Sequence, residues 1–162
     1  MMKNIGDLVL SVTVCLLLVA CRSTRPNATA WDVVITKTTP ASIEVDLIGI
    51  SSIERPAWEG YDLDQYWSPG EMDSRRAHAD KLSKNLQTGQ PWVVSWSDPQ
   101  WQKWLDRGAT ELLILANLPG QFAPGRTDPR RTFLPLDRNH WRTKGNRLEI
   151  EVQDTIVRPL TP

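Results

Sequence analysis

The sequence predicts one α+β domain of about five or six mainly antiparallel strands, in a sheet or sandwich, with two amphipathic helices. Three observations predict it. Apolar and polar residues alternate over Ile43 to Leu47 and again over Leu148 to Val152. A continuous apolar run, Glu111 to Leu118, is bounded by Gly108 and Pro119-Gly120. Two stretches place apolar residues at helical spacing, Met72 to Gln87 and Ser97 to Leu105. Period two marks half-buried strands, a short bounded apolar run marks a strand covered on both faces, and i, i+3, i+4 spacing marks a helix lying on a core.

The chain opens on Met1-Met2-Lys3-Asn4, a short polar stretch with a positive end, and is then apolar from Leu8 to Ala20 apart from Ser11 and Thr13. That run fits the roughly 7–15 residues of an export-signal core and falls short of the about 20 that a spanning helix needs. It ends Leu18-Val19-Ala20-Cys21, which resembles the bacterial lipobox. The resemblance implies that the signal peptidase recognises Leu18, Val19 and Ala20, that residues 1–20 are removed, and that Cys21 carries covalent lipid. Two acyl chains already hold a protein stably at about 0.8 kcal/mol per buried CH₂, so a triacylated Cys21 would not leave the membrane. Arg22 stands where lipoproteins kept at the inner membrane carry Asp, which points to the outer membrane. Residues 21–30 are small and polar without periodicity and suit a tether; residues 31–162 are then a single periplasmic domain.

Within that domain Trp31 to Thr36 is rich in β-branched residues and is followed by the turn-like Thr38-Thr39-Pro40-Ala41 and the alternating Ser42 to Ile50, a pair of strands on a short loop. Glu54 to Trp67 mixes acids with aromatics and predicts an irregular packed segment. Ser68-Pro69-Gly70-Glu71 has the form of a capping box, and Ala79, Leu82 and Leu86 extend a helical stripe up to Gly89. Trp92, Val94 and Trp96 share one face of a strand. Ser97 to Gln100 restarts a helix, with Trp101, Trp104 and Leu105 on one side, and Gly108 stops it. Gly120 to Arg138, full of Gly, Pro, Asp and Arg, predicts a long functional loop. Leu148 to Val152 and Thr155 to Val157 supply one closing strand with a bulge near Asp154.

Charge and cysteine content narrow the function classes. The 162 residues hold 19 basic and 19 acidic side chains, a formal net charge of +0, so nothing in the charge favours nucleic acid. Of the two cysteines, Cys15 lies in the export signal and Cys21 at its end, which leaves no disulfide for the domain. No cofactor beyond the lipid on Cys21 and no metal set is expected. Asp62 and Asp64 resemble the start of a calcium loop but lack its downstream Gly and Glu, and read as solvated acids. Ser95, Asp98 and His140 would be needed for a Ser/His/Asp set, yet no nucleophile elbow accompanies them, so no catalytic residue is predicted.

The 8 Trp against 2 Tyr and 2 Phe carry the remaining signal. Trp92, Trp96, Trp101 and Trp104 have core spacing, whereas Trp58 and Trp67, set among acids, are the candidates for an exposed sugar-stacking platform. Arg75-Arg76 reads as surface charge. Arg126, Arg130 and Arg131, in the long loop, are the candidate contacts for an acidic protein partner. A binding module that meets another envelope protein is the leading expectation, with glycan or peptidoglycan stacking as the alternative.

The order of elements, from the lipobox and tether through Ile43-Glu44-Val45-Asp46-Leu47, the insertion after Tyr61, Leu112-Leu113-Ile114-Leu115-Ala116 and Trp141-Arg142 before the last alternating strand, resembles the outer-membrane lipoproteins of type VI secretion systems, the TssJ family. The resemblance implies a transthyretin-like sandwich with added helices and docking to an inner-membrane partner. It is one of pattern across most of the mature chain, carries over no binding residue, and the Gly120 to Arg138 loop departs from it.

Overall fold

A computed structural model describes residues 27–68, 74–142 and 145–162. The export signal, the lipobox with Cys21, and Glu71 of the capping box lie outside the described residues. Among the described residues eight strands form two four-stranded sheets, in the orders β4-β1-β7-β8 and β3-β2-β5-β6. The first sheet holds β1 (Asp32–Lys37), β4 (Trp92–Val94), β7 (Arg147–Val152) and β8 (Val157–Pro159). The second holds β2 (Ile43–Ile50), β3 (Lys81–Leu86), β5 (Glu111–Ala116) and β6 (Arg131–Pro135). All pairings are antiparallel except β1 with β7, which run parallel with Val33 beside Leu148. Among the described residues four short α-helices, α1 (Arg55–Glu59), α2 (Leu63–Trp67), α3 (Ser74–His78) and α4 (Pro99–Asp106), complete the α+β domain.

The main core lies between the sheets. Val33 and Ile35 of β1, Val45 and Leu47 of β2, Leu112 and Ile114 of β5 and Leu148 and Ile150 of β7 point into it, as the alternation of each strand requires. Trp101 and Trp104 enter it from α4, edge to face at 5.3 Å. Trp104 lies directly on Gly49, where a Cβ would overlap the indole, and its Nε1 donates to the Asp80 carbonyl at 2.8 Å. Along one side the sandwich is closed by the Val157 amide, which donates to the Pro129 carbonyl at 2.9 Å.

Three elements depart from the sequence reading, each for a local reason. The stretch from Lys81 to Leu86 is a strand beside β2, not the end of a helix from Met72 to Gln87. Leu82 and Leu86 are four apart, a spacing that serves period two as well as a helical turn, and pairing with β2 decides between them. Within the predicted long loop, Arg131 to Pro135 pairs with β5 as an edge strand, and its Pro sits at the strand end where no ladder donor is missed. The closing segment is two strands, with Val152 opposite Val157, not one bulged strand. Among the described residues there are therefore eight strands and one amphipathic covering helix, α4, whose cap is Asp98 accepting from the Gln100 amide at 2.8 Å. Of the residues expected to form a tether, 28–30 are packed on the domain. Ala28 forms a bridge with Asp137, the Thr29 amide donates to the Leu136 carbonyl at 3.1 Å, and the methyls of Ala28 and Ala30 rest on the core.

Candidate functional site

The outer face of the β3-β2-β5-β6 sheet collects most of the residues singled out in the sequence. Ile48 and Ile50 of β2 and Leu113 and Leu115 of β5 project there, and α1 to α3 cover them. Trp58 of α1 and Tyr66 and Trp67 of α2 form the cover, with Tyr66 edge-on to both Trp58 (6.0 Å) and Trp67 (5.0 Å). Trp58 is 7% and Trp67 8% exposed, so the expected open stacking platform is instead the underside of a second small core. The large apolar area of each indole explains the outcome: with Leu113 and Leu115 beneath, burial outweighs the acidic neighbourhood in sequence.

Arginines lock this cover from both sides. Arg76 of α3 lies over the Trp67 ring at 4.4 Å and reaches down to the sheet, where its Nε donates to Asp46 (3.1 Å) and its Nη2 to Glu44 (2.5 Å). Asp46 is fully buried and also accepts from the Tyr66 hydroxyl at 2.8 Å and the Ser83 hydroxyl at 2.5 Å. A buried carboxylate is tolerable only when its oxygens are satisfied in this way. Burial draws the Arg76 guanidinium down and the Asp46 and Glu44 contacts more than restore it, leaving it above its ordinary value. Burial, and then the Asp46 charge, push the Tyr66 hydroxyl far up, so it remains a donor. Arg75 stacks over Tyr61 at 4.4 Å and Trp58 at 4.8 Å. The pair Arg75-Arg76 is therefore part of the packing, not surface charge.

The predicted partner contacts separate into two kinds. Arg131 is buried, its guanidinium donating to the carbonyls of Trp58, Tyr61 (3.0 Å) and Gly125 (2.8 Å). Burial pulls it below the ordinary arginine range, with Asp128 opposing. Arg130 is buried against Asp128 (2.7 Å), also pairs with Asp64, and lies over Phe122 at 4.9 Å. Both are corrected from loop contacts to internal struts that fasten the segment before β6 onto α1 and α2. Arg126 remains largely exposed, pairing with Glu59 at 2.9 Å. Asp62 caps α2 by accepting from the Asp64 amide, so neither acid is simply solvated.

Ser95, Asp98 and His140 are each engaged with a different neighbour. The Ser95 hydroxyl meets that of Ser97 at 3.0 Å, Asp98 caps α4, and His140 lies edge-on to Trp141. Among the described residues no group of three His, Cys, Asp or Glu could hold a metal. A cleft of about 300 Å³ opens beside Trp58, Arg75, His78, Asp80 and Arg107. Asp80 in it is engaged by Arg107 (3.1 Å) and by the Gln100 side-chain amide (2.5 Å). Sequence reasoning missed Asp46 altogether. The signal available was the presence of arginines and aromatics together around the insertion, Arg75-Arg76 following Tyr66-Trp67, which alternation in β2 concealed.

No family model matches the sequence, and no curated protein matches it. Solved structures do match its fold. A chain of the structure described as the T6SS protein TssM C-terminal domain (869-1107) from EAEC aligns over 82% of this chain and 98% of its own, with a TM-score of 0.56 and 15% identity. The T6SS lipoprotein TssJ1 from Pseudomonas aeruginosa aligns over 83% and 97%, with a TM-score of 0.53 and 10% identity. Serratia marcescens Lip, a membrane-bound component of the type VI secretion system, aligns over 82% and 98%, with a TM-score of 0.50 and 13% identity. The likeness is one of fold, and it covers almost the whole of each matched chain.

Proposed function

We propose that the chain is a lipid-anchored envelope protein and a non-catalytic assembly module of a type VI-like membrane complex. The observation that carries the reading is a coincidence of two independent features. The sandwich aligns along almost the entire length of lipoproteins from that system, and this sequence carries Leu18-Val19-Ala20-Cys21 just before the point where the domain begins. Fold alone does not assign function; the lipobox adds the anchor that such a module requires. Cys21 is the lipid attachment residue, Arg22 directs the mature protein to the outer membrane, and the domain hangs in the periplasm to engage another envelope protein.

The test has two arms. Cells expressing the full chain and its Cys21→Ser variant are labelled with a clickable palmitate analogue and fractionated. Label and membrane association are both expected in the first and lost in the second; equal labelling sinks the anchor. In-cell crosslinking followed by mild extraction is expected to recover a stoichiometric envelope protein. Recovery of the chain alone, repeatedly, counts against the assembly role.

A further inference from the structure

The described chain enters the domain at one end. Besides the bridge from Ala28 to Asp137, the Asp32 amide donates to the Asn146 carbonyl (2.7 Å), the Leu136 amide to Thr110, and the Thr110 amide to Ile50 (both 2.9 Å). The start of β1 and β7 and the end of β2 and β6 therefore share a pole with the tether. From Cys21 to Asn27 even a fully extended chain spans only about 20 Å, at roughly 3.5 Å per residue. A lipid on Cys21 would keep this pole close to the membrane.

The side chains exposed at this pole are those that suit a charged lipid surface. Arg138, His140, Arg142 and Arg147 are exposed, and the sequence from Arg138 to Arg147 contains no acid. Ile53, in the turn after β2, is 88% exposed, and Trp96, held at the start of β1 by its amide donating to Asp32 (2.8 Å), is 59% exposed. The carboxylates nearby are engaged within the protein. Asp137 accepts from the Asn139 amide, Glu54 from the amide and hydroxyl of Ser51, and Glu111 from Arg55. Arg147 pairs with Glu149, while among the described residues no carboxylate forms a salt bridge with Arg138 or Arg142. At the opposite pole the turns 38–42 and 87–91 carry no arginine and no exposed large apolar side chain, while in the segments 117–130 and 153–156 of the same pole the exposed Arg126 is paired with Glu59 and Ile156 is 36% exposed.

Resting on the anchor proposed above, we infer that the tether pole lies against the membrane, with Arg138 and Arg142 on anionic phospholipid phosphates and Ile53 and Trp96 at the headgroup boundary. Arginine held near an anionic surface gains electrostatically, and an exposed indole is a side chain that prefers that boundary. The acyl chains hold the domain on the bilayer; the pole sets which side of it faces the lipid.

The test uses the mature lipidated protein in vesicles. Cys15 lies in the removed signal and Cys21 is acylated, so an introduced cysteine is the single thiol. An environment-sensitive dye is placed at Asn139→Cys, and at Gln90→Cys as the opposite-pole control. In phosphatidylcholine vesicles containing phosphatidylglycerol, the dye at 139 is expected to be shielded from acrylamide and the dye at 90 not. The shielding is expected to weaken in pure phosphatidylcholine and at high salt. Each arginine at an anionic surface shifts the docked-to-undocked ratio about fivefold, so Arg138→Gln with Arg142→Gln is expected to lower it about thirtyfold. Equal quenching at both positions in both lipids, or shielding unchanged by the double substitution, overturns the inference. The intact mass of the same samples separates the two failures: an unmodified Cys21 removes the anchor itself, while an acylated Cys21 with an unshielded pole removes only the docking.

Discussion

On the outer face of the β3-β2-β5-β6 sheet, Ile48, Ile50, Leu113 and Leu115 are buried beneath three short helices, whereas the outer face of the β4-β1-β7-β8 sheet presents Val93, Thr36, Glu149 and Arg158 to solvent. Each sheet places a carboxylate at an outward position of a central strand, Asp46 on β2 and Glu149 on β7. Asp46 is fully buried and has three donors. Glu149 is about half exposed and pairs with an equally exposed Arg147. The same residue type at the same kind of register position thus has opposite energetics, because only one face is covered. A covered face makes every unsatisfied polar atom expensive, and a wet one makes most charge pairs nearly neutral.

The largest expected effect breaks the covered face. Asp46→Ala removes the acceptor of Tyr66, Ser83 and Arg76 and leaves a partly buried guanidinium with Glu44 alone, a loss expected at about 3–5 kcal/mol. Urea denaturation of the mature protein measures it, and a loss below about 1 kcal/mol, the size of an ordinary substitution, would contradict a buried hub. Glu149→Ala on the wet face is the matched control. Next in size is Arg131→Met, which keeps the apolar stem but strips the donors from the carbonyls of Trp58, Tyr61 and Gly125. About 2–4 kcal/mol is expected from leaving those acceptors without their partner. Increased proteolysis between Phe122 and Pro129 should accompany it, since Arg131 fastens that segment to α1 and α2.

The difference between the two faces also accounts for what was legible in the sequence. β7 alternates because one of its faces is wet, and β5 is apolar throughout because both of its faces are covered, so both strands were legible. β2 was legible as a strand but misleading as to its surroundings: Glu44 and Asp46 alternate with Ile43, Val45 and Leu47 as if facing water. Nothing local to β2 reveals that Tyr66 and Arg76 arrive from far along the chain. The same separation hid the roles of Trp58, Trp67, Arg130 and Arg131, whose partners lie across the insertion and the segment before β6. Their neighbours in sequence are acids and turn residues, which predict exposure. β6 was obscured because its first residue is an arginine that burial accepts only with the Trp58 and Tyr61 carbonyls in place. Trp101 and Trp104, by contrast, were readable, since the i, i+3 spacing that turns both toward the core lies within one helix.

Tyr66→Phe probes the hub more gently, removing one hydrogen bond to a charged acceptor while keeping the ring packed, for an expected loss of about 1.5–3 kcal/mol. Its pH dependence supplies a sign. Burial, then Asp46, raise the folded-state pKa of the hydroxyl above its unfolded value of about 10. The stabilisation is therefore complete below that value and declines as pH rises through it, because the unfolded chain then releases a proton that the folded one keeps. The gap between wild type and Tyr66→Phe should be constant from neutral pH to mildly alkaline and narrow above about pH 10; a constant gap there would place the hydroxyl in contact with water.

The smallest effect is expected on the bare face, and it is informative because it is small. Val93 is more than half exposed at the β4 edge, opposite the buried Val34, and Glu149 flanks Val34 on its other side. Val93→Thr keeps the β-branch that suits the pleat and changes only the polarity of an exposed methyl, so stability should move by less than about 0.5 kcal/mol. If the same substitution leaves the isolated protein unchanged yet reduces recovery of the crosslinked envelope protein, the bare sheet is a contact surface. If recovery is also unchanged, this position lies outside the contact, and the partner is to be sought on other exposed residues such as Arg126.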